Sequence, residues 1–211
     1  MIHENTETKI IDVAKQMFSE KGFNETSMSD IAARMGMNRP GLHYYFRTKQ
    51  LLYTNVFGRI VASFLPQICE IVVDSDIPLD TRVGRIVDVY YDSIFKDNPY
   101  LPTFLAKEIN RDATLLVDGM RRLGINHDLF GIATVLLSEM DAGTIRRVPL
   151  RYVFLTFYGM LTMPFLARGL LSELFLSEDE NFEMMLKEWK GYIVSQMHHL
   201  LCVDRTAEQT D

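Results

Sequence analysis

Apolar residues recur at helical spacing along nearly the whole chain, and polar breaks divide that pattern into a series of helices. Ile10, Ala14, Met17 and Phe18 form the stripe of a first helix running from Thr6 or Thr8 to about Lys21, with Gly22 after it. Met28, Ile31, Ala32 and Met35 make one face of a second helix, which Ser27 can cap with Asp30 three places on. Gly36 stops it, because glycine adopts the left-handed conformation at little cost. Two residues later Asn38 caps a third, short helix in which Leu42, Tyr45 and Phe46 share a buried face. Pro40 is tolerated in its first turn, where backbone donors lack intrahelical partners. Thr48 caps a fourth helix that continues through Val56, Ile60 and Phe64 until Pro66 kinks or ends it.

Beyond a loop over 74–80 the same spacing predicts a helix from Thr81 to about Lys96, broken by Asp97-Asn98-Pro99. Further helices are expected at about 101–123 and 127–140. The two longest follow, at about 150–174 and 180–203, the last capped near Ser177. The tail from Asp204 to Asp211 is polar and expected to be disordered.

The third helix turns an unusual set outward: Arg39, Gly41, His43 and Tyr44, with no carboxylate among them. Lys49 opens the next helix beside them. A negatively charged rod laid across this surface would meet a cation, two hydrogen-bonding rings and a second cation together. Two helices joined by a glycine turn, the second presented outward, form a helix-turn-helix, which places its second helix in the DNA major groove. Arg39 is expected to read base edges, guanine by preference. Thr26, Ser27, His43, Tyr44 and Lys49 are expected to bind phosphates, and Asn38 and Gly41 lie in the same interface.

Gly22-Phe23, Thr26, Asp30-Ile31-Ala32, Gly36, the run Gly41-Leu42-His43-Tyr44-Tyr45-Phe46, and Lys49 with Leu51-Leu52 agree in order and spacing with a known pattern. Over about the first fifty-five residues the chain resembles the amino-terminal DNA-binding domain of TetR-like bacterial transcriptional repressors. The family commonly has Thr or Ser where Gly41 stands, so one side-chain contact is missing here. The resemblance implies an all-α chain: a three-helix helix-turn-helix domain over 1–49 and a helical ligand-binding and dimerisation domain over 50–203. It also implies a homodimer on a palindromic double-stranded operator, released by a small apolar or amphipathic effector.

Composition fits this reading. Twelve Met and thirteen Phe with few Gly and Pro favour helices. The net charge of −6 is unevenly spread. Residues 1–50 carry seven Lys/Arg against six Asp/Glu, and the remainder 15 against 22, leaving a DNA-facing end and an acidic body. The start is no signal peptide, and the apolar stretch from Tyr152 to Leu171 is broken by Pro164 and Arg168. It reads as an interface helix rather than a membrane span, so a cytoplasmic protein with no membrane partner is expected.

The phosphate-binding, zinc-protease and serine-hydrolase motifs are missing, so no enzyme is expected. The expected effector lining is Tyr90, Phe104, Glu108, Phe154, Phe157, Tyr158, Met160 and Met163, aromatic and methionine side chains that suit an adaptable apolar pocket. The last two helices carry more apolar surface than one small core needs, and Phe157, Leu161, Phe165, Trp189, Ile193 and Met197 are expected to pair with a second copy in a four-helix bundle. Haem or metal binding would have to use His127, His198, His199, Cys69 or Cys202. His198 and His199 point about 100° apart on a helix, and no cofactor or metal is expected. The competing reading is a helical protein that binds a small molecule or a protein and keeps the fold without regulating an operator.

Overall fold

A computed structural model describes residues 2–96, 102, 106, 114 and 117–203, and among them no strand occurs. The tail and most of the helix expected over 101–123 lie outside the described residues. The chain divides into two compact units, Met1–Ser63 with Asn98–Asn126, and Phe64–Asp97 with His127–Asp211.

In the first unit α1 (Ile2–Glu25) starts before the expected cap and passes Gly22, whose φ of 85° interrupts the helical geometry. α2 (Met28–Arg34) and α3 (Arg39–Tyr45) follow as the spacing predicts, and α4 (Lys49–Ala62) completes the core. Ile10, Ala14, Phe18, Ile31, Leu42, Phe46 and Leu52 are buried together. Lys49–Val73 is long and apolar enough to cross a bilayer by composition, but α4 ends at Ala62 and hides Leu52, Val56, Phe57 and Ile60 in this unit's own core. The other face of α4 meets residues 117–123. A Cβ at Gly58 would overlap Leu123, and one at Gly119 would lie 3.0 Å from Thr54 Cγ2.

The second unit opens with α5 (Leu65–Val73), whose first turn holds Pro66, so the proline starts a helix here. α6 (Leu79–Lys96) and α7 (Ile125–Asp141) are tied to it by one guanidinium. Arg82 forks onto Glu139 at 2.7 and 3.1 Å and donates to the Val72 carbonyl at 3.0 Å. The helix expected over 150–174 is two, α8 (Leu150–Leu166) and α9 (Arg168–Leu174), bent by 66°. α10 (Phe182–Leu201) is capped by Asn181, not near Ser177. Gly84 of α6 faces α10, where a Cβ would make an ordinary contact with Lys190 Cε at 3.4 Å.

Pro164 sits inside α8 and has no N–H for the Met160 carbonyl one turn back. The Trp189 indole N–H donates to that carbonyl at 3.0 Å. A buried acceptor left bare would cost about 1–3 kcal/mol, and Trp189 removes that cost.

This packing corrects the expected dimer surface. Leu161, Ile193 and Met197 are buried inside the unit's own core. Phe165 meets Tyr91 and Phe182 with ring centroids 5.5 and 5.7 Å apart, Trp189 is held by its indole bond, and Phe157 is half-buried. Apolar side chains left exposed include Phe154, Leu155, Met163, Leu170, Leu174, Phe175 and Tyr192.

Candidate nucleic-acid interface

The turn between α2 and α3 is fixed by local hydrogen bonds. Ser27 Oγ accepts from Asp30 N at 3.1 Å, and Asp30 Oδ2 accepts from Ser27 N at 3.1 Å and Oγ at 2.7 Å, a closed capping box. Those bonds hold the Asp30 carboxyl below its ordinary pKa. Gly36, at φ 68°, reverses the chain. Asn38 Oδ1 accepts from Gly41 N at 2.8 Å and starts α3 two residues on. A Cβ at position 41 would sit 3.0 Å from the same oxygen, a tight contact that the Asn38 side chain would have to ease.

α3 buries Leu42, with Phe46 at its C-cap equally buried, and turns Arg39 and Pro40 to solvent along with Tyr44, which is 75% exposed. The Tyr44 ring stands edge-on to Tyr45 at 5.3 Å, which steadies it in the open. His43 Nδ1 lies 3.1 Å from the Arg47 carbonyl, so it carries the ring hydrogen there and leaves Nε2 as acceptor. Arg39 Nε donates to that Nε2 at 3.4 Å. The contact orients the guanidinium without neutralising it.

Three expected phosphate ligands are engaged elsewhere. Thr26 is fully buried, and its hydroxyl donates to Gly22 O at 2.8 Å and Met17 O at 3.2 Å. Lys49 Nζ donates to Phe23 O at 2.9 Å and Thr26 O at 3.0 Å and lies 4.2 Å from the centre of the Phe23 ring. It closes the C-terminal end of α1, where carbonyls lack partners and a cation is favoured. The Ser27 hydroxyl is held in the capping box. The structure brings Arg39, His43 and Tyr44 to one open face, with the cap residues Asn38 and Gly41 at its start. Sequence reading passed over Arg47, which is exposed just beyond α3 and joined to His43 through its carbonyl. The signal was present: it is a cation between a short helix and the Thr48 cap of α4, with no carboxylate near it in sequence.

Residues 10–56, which span this motif and its supporting helices, match the sequence profile of the tetR family of bacterial regulatory proteins. Over that stretch the chain is a TetR-like DNA-binding domain. A full-length relative is the "Probable HTH-type transcriptional regulator YttP" of Bacillus subtilis, 24% identical over 207 residues, covering 90% of this chain and 93% of that protein. The biofilm operon icaADBC negative transcriptional regulator IcaR of Staphylococcus aureus is 42% identical over 45 residues, 21% of this chain and 24% of IcaR. Among solved structures, Bacillus subtilis FadR in complex with stearoyl-CoA superposes with a TM-score of 0.68 at 15% identity, over 89% of this chain and 97% of FadR, a likeness of fold. These relatives are regulators, not enzymes, and this regulator is a DNA-binding, helix-turn-helix protein of the same kind.

The second unit of the regulator holds the described part of the expected effector lining. Tyr90, buried, hydrogen-bonds Thr162 Oγ1 at 3.2 Å, and the half-buried Tyr158 lies on the same helix one turn before Thr162. Burial pushes the Tyr90 phenol well above its ordinary pKa and raises that of Tyr158, so both stay neutral donors. Phe154 stacks on Tyr158 at 5.4 Å, one face remaining exposed, while Met160 is half-buried and Met163 exposed. Phe104 and Glu108 lie outside the described residues. Thr162 was missed, although it follows Tyr158 by one helical turn.

Proposed function

We propose that the regulator is a cytoplasmic homodimer that represses transcription from a palindromic operator and lets go when a small apolar or amphipathic effector fills its helical domain. The observation that carries this reading is the open face of α3. Arg39 and Tyr44 are exposed to solvent on a helix whose start, turn and exit are each capped. Arg39 reads base edges, with guanine the best partner for its fork, and His43, Tyr44 and Arg47 meet phosphates. Lys49, Thr26 and Ser27 hold the motif together behind that face.

Tyr90, Tyr158 and Thr162 supply hydroxyl donors within an aromatic setting, which suits the polar end of an otherwise apolar molecule. Phe104, Glu108, Phe157 and Met160 complete the proposed lining. The effector works only if it prefers the conformation with lower operator affinity. Selection of bound duplexes from a random pool, followed by mass spectrometry of small molecules that co-purify, tests the reading. Recovery of a palindrome whose binding weakens when the co-purified molecule is added supports it. Recovery of no preferred sequence would favour the competing reading, a ligand-binding protein that keeps the fold.

A further inference from the structure

A second cluster of chemistry lies away from both sites, where the first turn of α6 meets the last turn of α10. His198 Nδ1 lies 2.9 and 3.1 Å from the two carboxylate oxygens of Asp80 and 3.3 Å from Cys202 Sγ. One nitrogen, one oxygen and one sulfur all fall within 4.8 Å of one another. The spacing of His198 and Cys202, four residues apart, puts both side chains on one edge of α10 as the helix ends. His199 turns away, its Nδ1 against the Ser195 carbonyl at 2.7 Å.

We propose that Asp80, His198 and Cys202 bind a zinc ion. An imidazole Nδ1 has a single in-plane position, for a hydrogen or a lone pair, and cannot serve a carboxylate and a sulfur separately. A cation lying on that lone pair is shared by all three. Zinc bonds of about 2.0–2.3 Å in tetrahedral array hold donor atoms roughly 3.3–3.6 Å apart; the nitrogen–sulfur pair is already at 3.3 Å, and the nitrogen–oxygen pair at 2.9 Å would open slightly to admit the ion. The mixed donors also choose the metal. Thiolate and imidazole favour a borderline ion, whereas calcium and magnesium take oxygens. Asp80 and His198 are each 48% exposed, so the fourth position opens to solvent and accepts water or another small ligand. The ion would fasten the beginning of α6 to the end of α10, adding a bond between segments 118 residues apart.

Cobalt(II) is the direct probe, applied to the full-length chain after chelator treatment and without a histidine tag. One equivalent should give a thiolate-to-cobalt charge-transfer band and tetrahedral visible bands, and zinc chloride should displace both. Cys202→Ser should abolish the charge-transfer band, and Asp80→Asn and His198→Gln should each weaken zinc binding by about ten-fold or more. Circular dichroism of the metal-free variants should match the parent. Should Cys202→Ser fold poorly, the exposed Asp80→Asn carries the test by its zinc affinity and by loss of the metal-dependent rise in Tm. An octahedral spectrum with no thiolate band, a band that persists in Cys202→Ser, or zinc affinity unchanged in Asp80→Asn would each overturn the proposal.

Discussion

Lys49 shows how one residue type in the right place can serve two purposes, only one of which the chain uses. A lysine opening a helix beside a recognition surface reads as a phosphate ligand, yet its ammonium lies on the Phe23 and Thr26 carbonyls and over the Phe23 ring. Lys49→Met should therefore lower stability by about 1–3 kcal/mol, measured by urea unfolding, because two acceptors lose a charged donor. The slope of log K against log salt should stay unchanged; a slope reduced by about one would return Lys49 to the phosphates. Trp189 is the second case. Trp189→Phe keeps the packing but strips the Met160 carbonyl of its donor, and should cost about 1–3 kcal/mol in the same assay. A loss no larger than a few tenths would show that the carbonyl finds another partner. Neither bond was legible in the sequence, since each joins residues more than twenty positions apart.

At the scale of elements, legibility followed the range of the forces involved. α2 and α3 were readable to within a residue because their caps are local: Ser27 with Asp30, Gly36, and Asn38 with Gly41. Ser27→Ala should remove a cap worth about 1 kcal/mol and lower the thermal midpoint of the DNA-binding unit, read by calorimetry. An unchanged midpoint would mean that Asp30 holds α2 alone. The division of α8 from α9 was not readable to the residue. Pro164 marked a possible break, but the helix runs past it to Leu166 because Trp189 completes the missing bond. The apolar stripes of α8 and α10 were read as surplus for a partner. A stripe has no label for its occupant, and Leu161, Ile193 and Met197 went to the chain's own core. On the proposed effector side, Tyr90 and Tyr158 stood out by their type, whereas Thr162, hydrogen-bonded to Tyr90, did not, because a threonine on an apolar helix reads as filler.

For the whole molecule the proposal is two recognition helices held about 34–36 Å apart, or a multiple of that, by a dimer of the helical domain. Exposed residues of α8 such as Phe154 and Leu155 offer apolar surface that a second copy would cover, whereas Leu161, Ile193 and Met197 are buried in the chain's own core. Leu155→Glu should shift sedimentation toward the monomer and weaken operator binding while leaving the helical spectrum intact; an unaltered dimer would place the interface elsewhere. An effector coupled by about 1–3 kcal/mol would lower operator affinity by roughly 5- to 150-fold, and operator would weaken effector binding equally. All of this rests on α3 reading DNA through its open face. The most direct test is fluorescence anisotropy of the selected operator duplex with the parent chain and with Arg39→Ala, against a duplex carrying one substituted guanine. The account predicts that Arg39→Ala loses about 1–3 kcal/mol on the operator and no longer distinguishes the two duplexes. If Arg39→Ala bound both duplexes as the parent does, with the same preference, α3 would not be the reading helix.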